Sequence, residues 1–298
     1  MTAITLLDGS IGQEIVKRSG DRATPLWSTA VMMDMPGVVR DVHLDYFKAG
    51  ATIATANTYA VLRDRLARIG LENAFDHLNA QALVEAEAAR ALHGSGHIAA
   101  SLGPIGASYR PDLHTPLEQA AAIFAERVAL LHDRVDIFLI ETVASIEHAH
   151  GALLGCAAAT KPVWLSLTVC DDDGTRLRSG EKLADLAALV SEYAPAALLL
   201  NCAPPEVMAD GLAQLAAFGL PFGAYANGFT RISDGFLAEF PTVDALEQRT
   251  DLSPAAYADF AMSWVAQGAT IIGGCCEVGP AHITELAKRL HAAGHTIT

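Results

Sequence analysis

A (β/α)8 TIM barrel, as a single domain over residues 1–298, is the fold this sequence predicts. Three observations carry it. Short apolar runs alternate with amphipathic stretches along the whole chain. The runs number eight, and each is apolar on both faces, as buried parallel strands require. The length, 298 residues, suits one barrel with extended loops.

The eight strand candidates are Ile4–Leu7, Ala51–Ala54, His97–Ser101, Asp136–Ile140, Val163–Thr168, Ala196–Leu200, Pro221–Tyr225 and Thr270–Ile272. The helical patterns between them are Gly37–Lys48, Leu71–Leu92, Pro116–His132, Ser145–Ala158, Leu183–Ser191, Glu206–Ala217, Pro254–Ala266 and Ala281–Ala292. Thr115 before Pro116 and Ser253 before Pro254 are helix-start signals, a capping hydroxyl ahead of a proline in the first turn. Three segments exceed ordinary loop length: Ser10–Met35, Cys170–Lys182 and Asn227–Leu252. Each follows a strand, which puts all three on the face where barrels build their sites.

Composition narrows the function classes. Hydrophobic residues make up 51% and charged residues 18%, enough for a large core and too few charges for disorder. A net charge of −14 repels phosphate backbones, so nucleic acid is not an expected partner. The N-terminus has neither a basic stretch nor a long apolar run, and no run reaches the length that spans a bilayer. A cytoplasmic protein with no membrane partner is expected, and the oligomeric state stays open.

The polar residues at strand ends carry the chemistry. They are Asp8-Gly9, Asn57-Thr58-Tyr59, Ser101 with Gly103, Glu141-Thr142, Asn201-Cys202, Asn227, and Gly273-Gly274-Cys275-Cys276. All fall at the C-terminal rim. The cysteines number five, an odd count that argues against a disulfide framework. Strands six and eight flank strand seven, so Cys202, Cys275 and Cys276 can converge. Three soft ligands with an open fourth position describe a catalytic zinc site. Gly273 and Gly274 would permit unusual backbone angles and close approach there. Read singly, each cysteine is a small buried hydrophobe. That reading suits Cys156 in an Ala-rich helix, and Cys170; the rim trio favours metal. His148 and His150 stand two apart on a helix and point to different sides, and His282 reads as structural.

The segments LDGSIGQEI, ATANTY, Glu141-Thr142, NCAPPE and GGCCEVGPAHI together resemble the homocysteine S-methyltransferase family, from Asp8 to Ile283. The resemblance implies that Cys202, Cys275 and Cys276 hold Zn2+ and carry the catalysis. It implies that Asp8 and Glu141 hold the ammonium of homocysteine, and that Gly9 brings its backbone close to that amino acid. Thr58 would lie in the segment receiving the carboxylate. Gln13 stands where family members often have Thr. The reaction implied is methyl transfer to homocysteine, giving methionine. Asp8 and Glu141 read independently as acids for an ammonium, or singly as a turn former and a helix N-terminal charge.

For the donor, a small sulfonium such as S-methylmethionine is expected first and a betaine-like ammonium second, with Trp27, Met32, Met33, Phe229 and Phe236 as candidate lining. Two other readings stay open: a barrel enzyme of another reaction class, and a zinc- or thiol-binding protein without turnover.

Overall fold

The computed structural model describes residues 2–20, 24, 26–233, 235–237 and 246–298. Parts of the expected long segments 10–35 and 227–252 therefore lie outside the described residues.

Eight parallel strands close a barrel. They are β1 (Ala3–Leu6), β2 (Ile53–Thr55), β3 (His97–Leu102), β4 (Ile137–Val143), β5 (Val163–Leu167), β6 (Ala197–Asn201), β7 (Phe222–Tyr225) and β8 (Ile271–Ile272). Each pairs with the next, β8 pairs with β1, and a parallel bridge from Leu7 to Ile53 joins β1 to β2. The Thr52 amide donates to the Leu6 carbonyl at 2.8 Å across that last seam. Every expected strand is present, with ends shifted by at most two residues except that β4 runs three residues further, to Val143.

A two-residue strand, β9 (Thr296–Ile297), adds to the outer edge of β1 and was not expected. The Thr52 hydroxyl donates to the Thr298 carbonyl at 2.8 Å and fixes this tail. Two residues are too few to carry a periodic signal.

The helices are α1 (Ile11–Arg18), α2 (Ser28–Asp34), α3 (Val38–Ala49), α4 (Arg63–Ala67), α5 (Phe75–His93), α6 (Leu117–Leu131), α7 (Ile146–Cys156), α8 (Ala187–Tyr193), α9 (Pro205–Ala216), α10 (Pro254–Ala266) and α11 (Pro280–Ala292). Eight match the expected patterns. The other three, α1, α2 and α4, lie in loops that follow β1 and β2. Ser145 and Ser253 cap α7 and α10, accepting from the His148 and Ala256 amides. No helix among the described residues is long and apolar enough to cross a membrane.

The barrel interior and the layer between strands and helices are both apolar, which is why the strands read as continuous hydrophobic runs. A charge, Arg127, is buried between them. Arg127 of α6 donates to the carbonyls of Thr58 (2.9 Å), Ser101 (2.8 Å) and Gly103 (3.3 Å), gathering the ends of β2 and β3.

Candidate metal centre and substrate cavity

The C-terminal ends of the strands surround a cavity of about 230 Å³. Asp8, Gly9, Glu141, Cys202, Cys275 and Cys276 all line it. The sulfurs of Cys202, Cys275 and Cys276 lie within 4.8 Å of one another.

Backbone contacts build this convergence. Cys202 follows β6 with φ at +52°, a left-handed angle rarely taken by a side-chain-bearing residue, and it turns the thiol into the barrel. Its carbonyl accepts from the Thr168 hydroxyl at 3.3 Å and from Arg178 at 3.4 Å. Asn201 beside it clasps Thr142, its Oδ1 accepting from the Thr142 amide at 3.0 Å and its Nδ2 donating to the Thr142 hydroxyl at 2.9 Å. The turn after β8 is held on both sides. The Gly274 amide donates to the Asp8 carbonyl at 2.9 Å, and the Cys275 amide to the Ala226 carbonyl at 2.9 Å.

Gly273 and Gly274 are needed for space alone. Neither adopts a left-handed angle, contrary to the expectation of unusual backbone angles. A Cβ on Gly273 would fall 2.5 Å from that of Leu7, and one on Gly274 would fall 2.2 Å from Val278 Cγ1. The left-handed residue of this turn is Glu277, φ +66°. Its carboxylate accepts from Gln13 at 2.8 Å and Lys17 at 2.6 Å, and Gln13 in turn accepts from the Trp27 indole at 2.7 Å. Gln13, the residue that departs from the family pattern, thus links the cysteine turn to an aromatic wall of the cavity.

Cys202 and Cys275 are joined as a disulfide with Cα atoms 5.8 Å apart, and Cys276 is free. The pairing departs from the disulfide-free expectation. The cause is the convergence that would let the two thiols share an ion. Reduced, the trio fits a soft metal ion, because sulfurs on a tetrahedral centre stand roughly 3.8 Å apart for metal–sulfur bonds of about 2.3 Å. Burial, and then Glu277, push the Cys276 thiol up to about 12, so it needs a cation beside it to ionise.

Two buried carboxylates share the cavity wall. Asp8 accepts from the Thr55 amide at 2.6 Å and the Thr55 hydroxyl at 2.8 Å. Glu141 accepts from the Tyr225 hydroxyl at 2.9 Å and from the Ser101 hydroxyl. Burial pushes Asp8 up to about 7, against the opposing Thr55 bonds, and the charge of Glu141 adds to the rise. Burial also raises Glu141, opposed by Ser101, Tyr225 and Arg127. Two crowded acids of this kind can accept hydrogen bonds from an ammonium.

Thr58 does not line the cavity. Its hydroxyl donates to the Ser101 carbonyl at 2.8 Å, while its neighbours Asn57 and Tyr59 face inward. Of the expected aromatic and methionine lining, Trp27, Phe229 and Phe236 are in place. Met32 is buried behind Asn57, with 3.7 Å between its sulfur and the amide nitrogen, and Met33 is exposed. Tyr59, Tyr109 and Tyr225 also line the cavity; Tyr59 is expected as part of a strand end, whereas Tyr109 and Tyr225 are not among the expected site residues, although Tyr225 closes the seventh strand. Trp27 meets Tyr59 edge-on at 6.3 Å, and Tyr109 meets Phe236 at 5.8 Å. His148, His150 and His282 bond the Leu113 carbonyl, the Tyr193 hydroxyl and the Leu252 carbonyl, away from the cavity. Cys156 is buried in α7, and Cys170 donates to the Leu177 carbonyl at 3.2 Å.

Comparison with known proteins agrees with this geometry. A family model described as homocysteine S-methyltransferase matches residues 5–290. A homocysteine S-methyltransferase of Escherichia coli K12 is 32% identical over 96% of this chain and 95% of its own. The crystal structure of the metallated form of the homocysteine methyltransferase MmuM from Escherichia coli is similar with a TM-score of 0.80, at 30% identity over 97% of this chain and 96% of that one. The oxidised form of the same enzyme gives a TM-score of 0.81, at 30% identity over 96% of each chain.

Proposed function

This chain belongs to the homocysteine S-methyltransferase family, an S-methyltransferase acting on homocysteine, and from that premise we propose that it uses zinc held by Cys202, Cys275 and Cys276 and a small cationic methyl donor. The observation that carries the proposal is the three sulfurs, within 4.8 Å of one another, in one cavity with two buried acids.

Zinc in this thiolate set would keep the acceptor thiol ionised at neutral pH, where a free thiol with a pKa of about 8.5 is mostly protonated. The chain's own groups do the rest. Asp8 and Glu141 accept hydrogen bonds from the homocysteine ammonium and fix its position. Gly9 lines the same cavity beside Asp8, and it packs so tightly against the cysteine turn that a Cβ there would fall 2.0 Å from the Val278 carbonyl oxygen. Trp27, Tyr59, Tyr109 and Phe229 exclude water and present π faces to an onium methyl group. The acceptor sulfur forms a bond to the methyl carbon as the donor's carbon–sulfur bond breaks. Its electron pair stays on the departing sulfur, which leaves as a neutral thioether, and the thiol proton passes to solvent. The product is methionine.

A sulfonium such as S-methylmethionine is the favoured donor, with trimethylammonium compounds of the betaine type second. The field of an acidic chain and three thiolates supports a cation over an anionic methylfolate. We place the reaction in the cytoplasm, where thiols stay reduced.

Metal analysis together with a donor panel tests the reading. Reduced protein is expected to hold about one zinc per chain, and Cys275→Ala to lose metal and methyl transfer together. Turnover with methylfolate alone, and none with any sulfonium or ammonium compound, refutes the donor. Full zinc retention in Cys275→Ala refutes the ligand set.

A further inference from the structure

Two arginines, Arg65 and Arg68, line the cavity and are not used by the chemistry above. Arg65 lies on α4, directly after the β2 rim, and its side chain lines the cavity. Its guanidinium sits 5.6 Å from the centre of the Tyr59 ring. A guanidinium has five N–H donors. Among the described residues this one makes a single hydrogen bond, from Nη2 to the Pro104 carbonyl at 3.3 Å, and its Nε is shielded from water without a partner.

No carboxylate is paired with Arg65 among the described residues, although the chain carries 34 acidic residues against 20 basic ones. Neighbouring arginines are treated differently. Arg63, two positions earlier, is held by Glu126 at 2.8 Å and Asp76 at 3.3 Å, and Arg178 by Asp171 at 2.5 Å. The nearest acid in sequence, Asp64, turns away to accept from the Gly106 amide at 2.9 Å.

The cavity is therefore electrically polar. Asp8 and Glu141, joined by the cysteine trio once its thiols are ionised on a metal, make one part negative, and Arg65 with Arg68 makes another positive. A donor that is only a cation would meet repulsion from Arg65. A donor with an onium methyl at one end and a carboxylate at the other matches both parts, and a planar fork on an aromatic face is built for a carboxylate.

We propose that Arg65 is a specificity-determining residue that binds the carboxylate of the methyl donor, so that the enzyme selects onium carboxylates over onium compounds lacking an acid group. The assignment rests on the cationic-donor reading above and adds the far end of that donor.

The test compares S-methylmethionine with its carboxamide, at saturating homocysteine, in zinc-loaded wild type, Arg65→Met and Arg65→Lys. Wild type is expected to prefer the acid by about 10–100-fold in kcat/KM, the scale of one charge-assisted hydrogen-bonded contact. In Arg65→Met that preference should collapse through KM for the acid, with the amide unchanged or improved. Arg65→Lys, which keeps the charge and loses the fork, should fall between. Calorimetric binding of a non-reactive trimethylammonium carboxylate and its methyl ester supplies a readout independent of turnover, and should show the same loss of discrimination. Homocysteine affinity, measured without donor, should not change. An acid-over-amide preference that survives in Arg65→Met overturns the proposal, and so does a rise in the homocysteine Kd, which would assign Arg65 to the acceptor. Absence of turnover with every onium donor in wild type refutes the donor reading itself, and the Arg65 assignment with it.

Discussion

Asp8 and Glu141 line the same cavity in different electrostatic settings. The oxygens of Glu141 are held by two hydroxyls, from Ser101 and Tyr225, so Glu141→Gln keeps the shape and removes the charge. Homocysteine binding, followed by calorimetry on the metal-loaded enzyme, should weaken by about 1.5–3 kcal/mol, the worth of a hydrogen bond to a charged group, with zinc content unchanged. An unaltered affinity would leave Glu141 only a structural role. Asp8 carries a pH signature. Its carboxyl is raised from 3.8 to about 7, chiefly by burial, so ionisation is harder in the folded chain than in the unfolded one. The resulting loss of stability is absent below pH 3.8, grows as pH rises, and is complete above pH 7. In melts without homocysteine, Asp8→Asn should therefore gain on wild type as pH goes from 4.5 to 8. Parallel curves would sink this account. Both acids were legible in the sequence because each follows an apolar run at its C-terminal side. Ser101 was noted only as a strand end, and Tyr225 and Thr55 were not singled out. Their role is to bond an acid on another strand, and no spacing along one strand encodes that.

Helix α1 shows how one element serves two parts of the site. Its inner face carries Gly12 against the Trp27 ring and Gln13 between Trp27 and Glu277. A Cβ on Gly12 would fall 2.1 Å from the indole, so Gly12→Ala must displace Trp27. Trp27 is itself held at φ +49°, which leaves it few alternative seats. Because Gly12 is remote in sequence from the cysteine turn, its replacement should raise KM for the donor several-fold while zinc stoichiometry stays at wild-type level. Equal losses of zinc and donor affinity would mean that the disturbance passes through Gln13 and Glu277 to the turn. Strands and barrel helices were readable because burial on both faces, or on one face, leaves a repeating apolar pattern. Helices α1, α2 and α4 were read as loop or not anticipated. They are five to eight residues long, set by contacts across the rim, and too short for a stripe to stand out. Trp27 and Phe229 were readable as cavity lining because apolar bulk in a rim loop has few other places to go. Met32 misled because α2 turns it inward behind Asn57.

For the whole molecule, a metal on the three cysteines would be a cross-link. Cys202 and Cys275 stand 73 positions apart in sequence and end strands on either side of β7. An ion held by both, and by Cys276, ties β6 to β8 in the folded chain only, since unfolding leaves just the adjacent Cys275-Cys276 pair together. Ligand that binds the folded form stabilises it by mass action, about 4 kcal/mol when free metal is roughly a thousand times its Kd. A chain of 298 residues unfolds with about 2.1 cal/mol/K of entropy per residue, so each kcal/mol shifts Tm by about 1.6 °C. Zinc should therefore raise Tm of the reduced enzyme by roughly 6–7 °C over the chelated protein. Cys275→Ser should melt at one temperature with or without zinc, and its far-ultraviolet circular dichroism should match wild type because the barrel core is untouched. The disulfide between Cys202 and Cys275 removes two of the three ligands, so oxidised protein should show no zinc response until a thiol reductant is added. A zinc response that survives oxidation, or one retained in Cys275→Ser, would place the metal elsewhere. No zinc response in reduced wild type would remove the cross-link altogether.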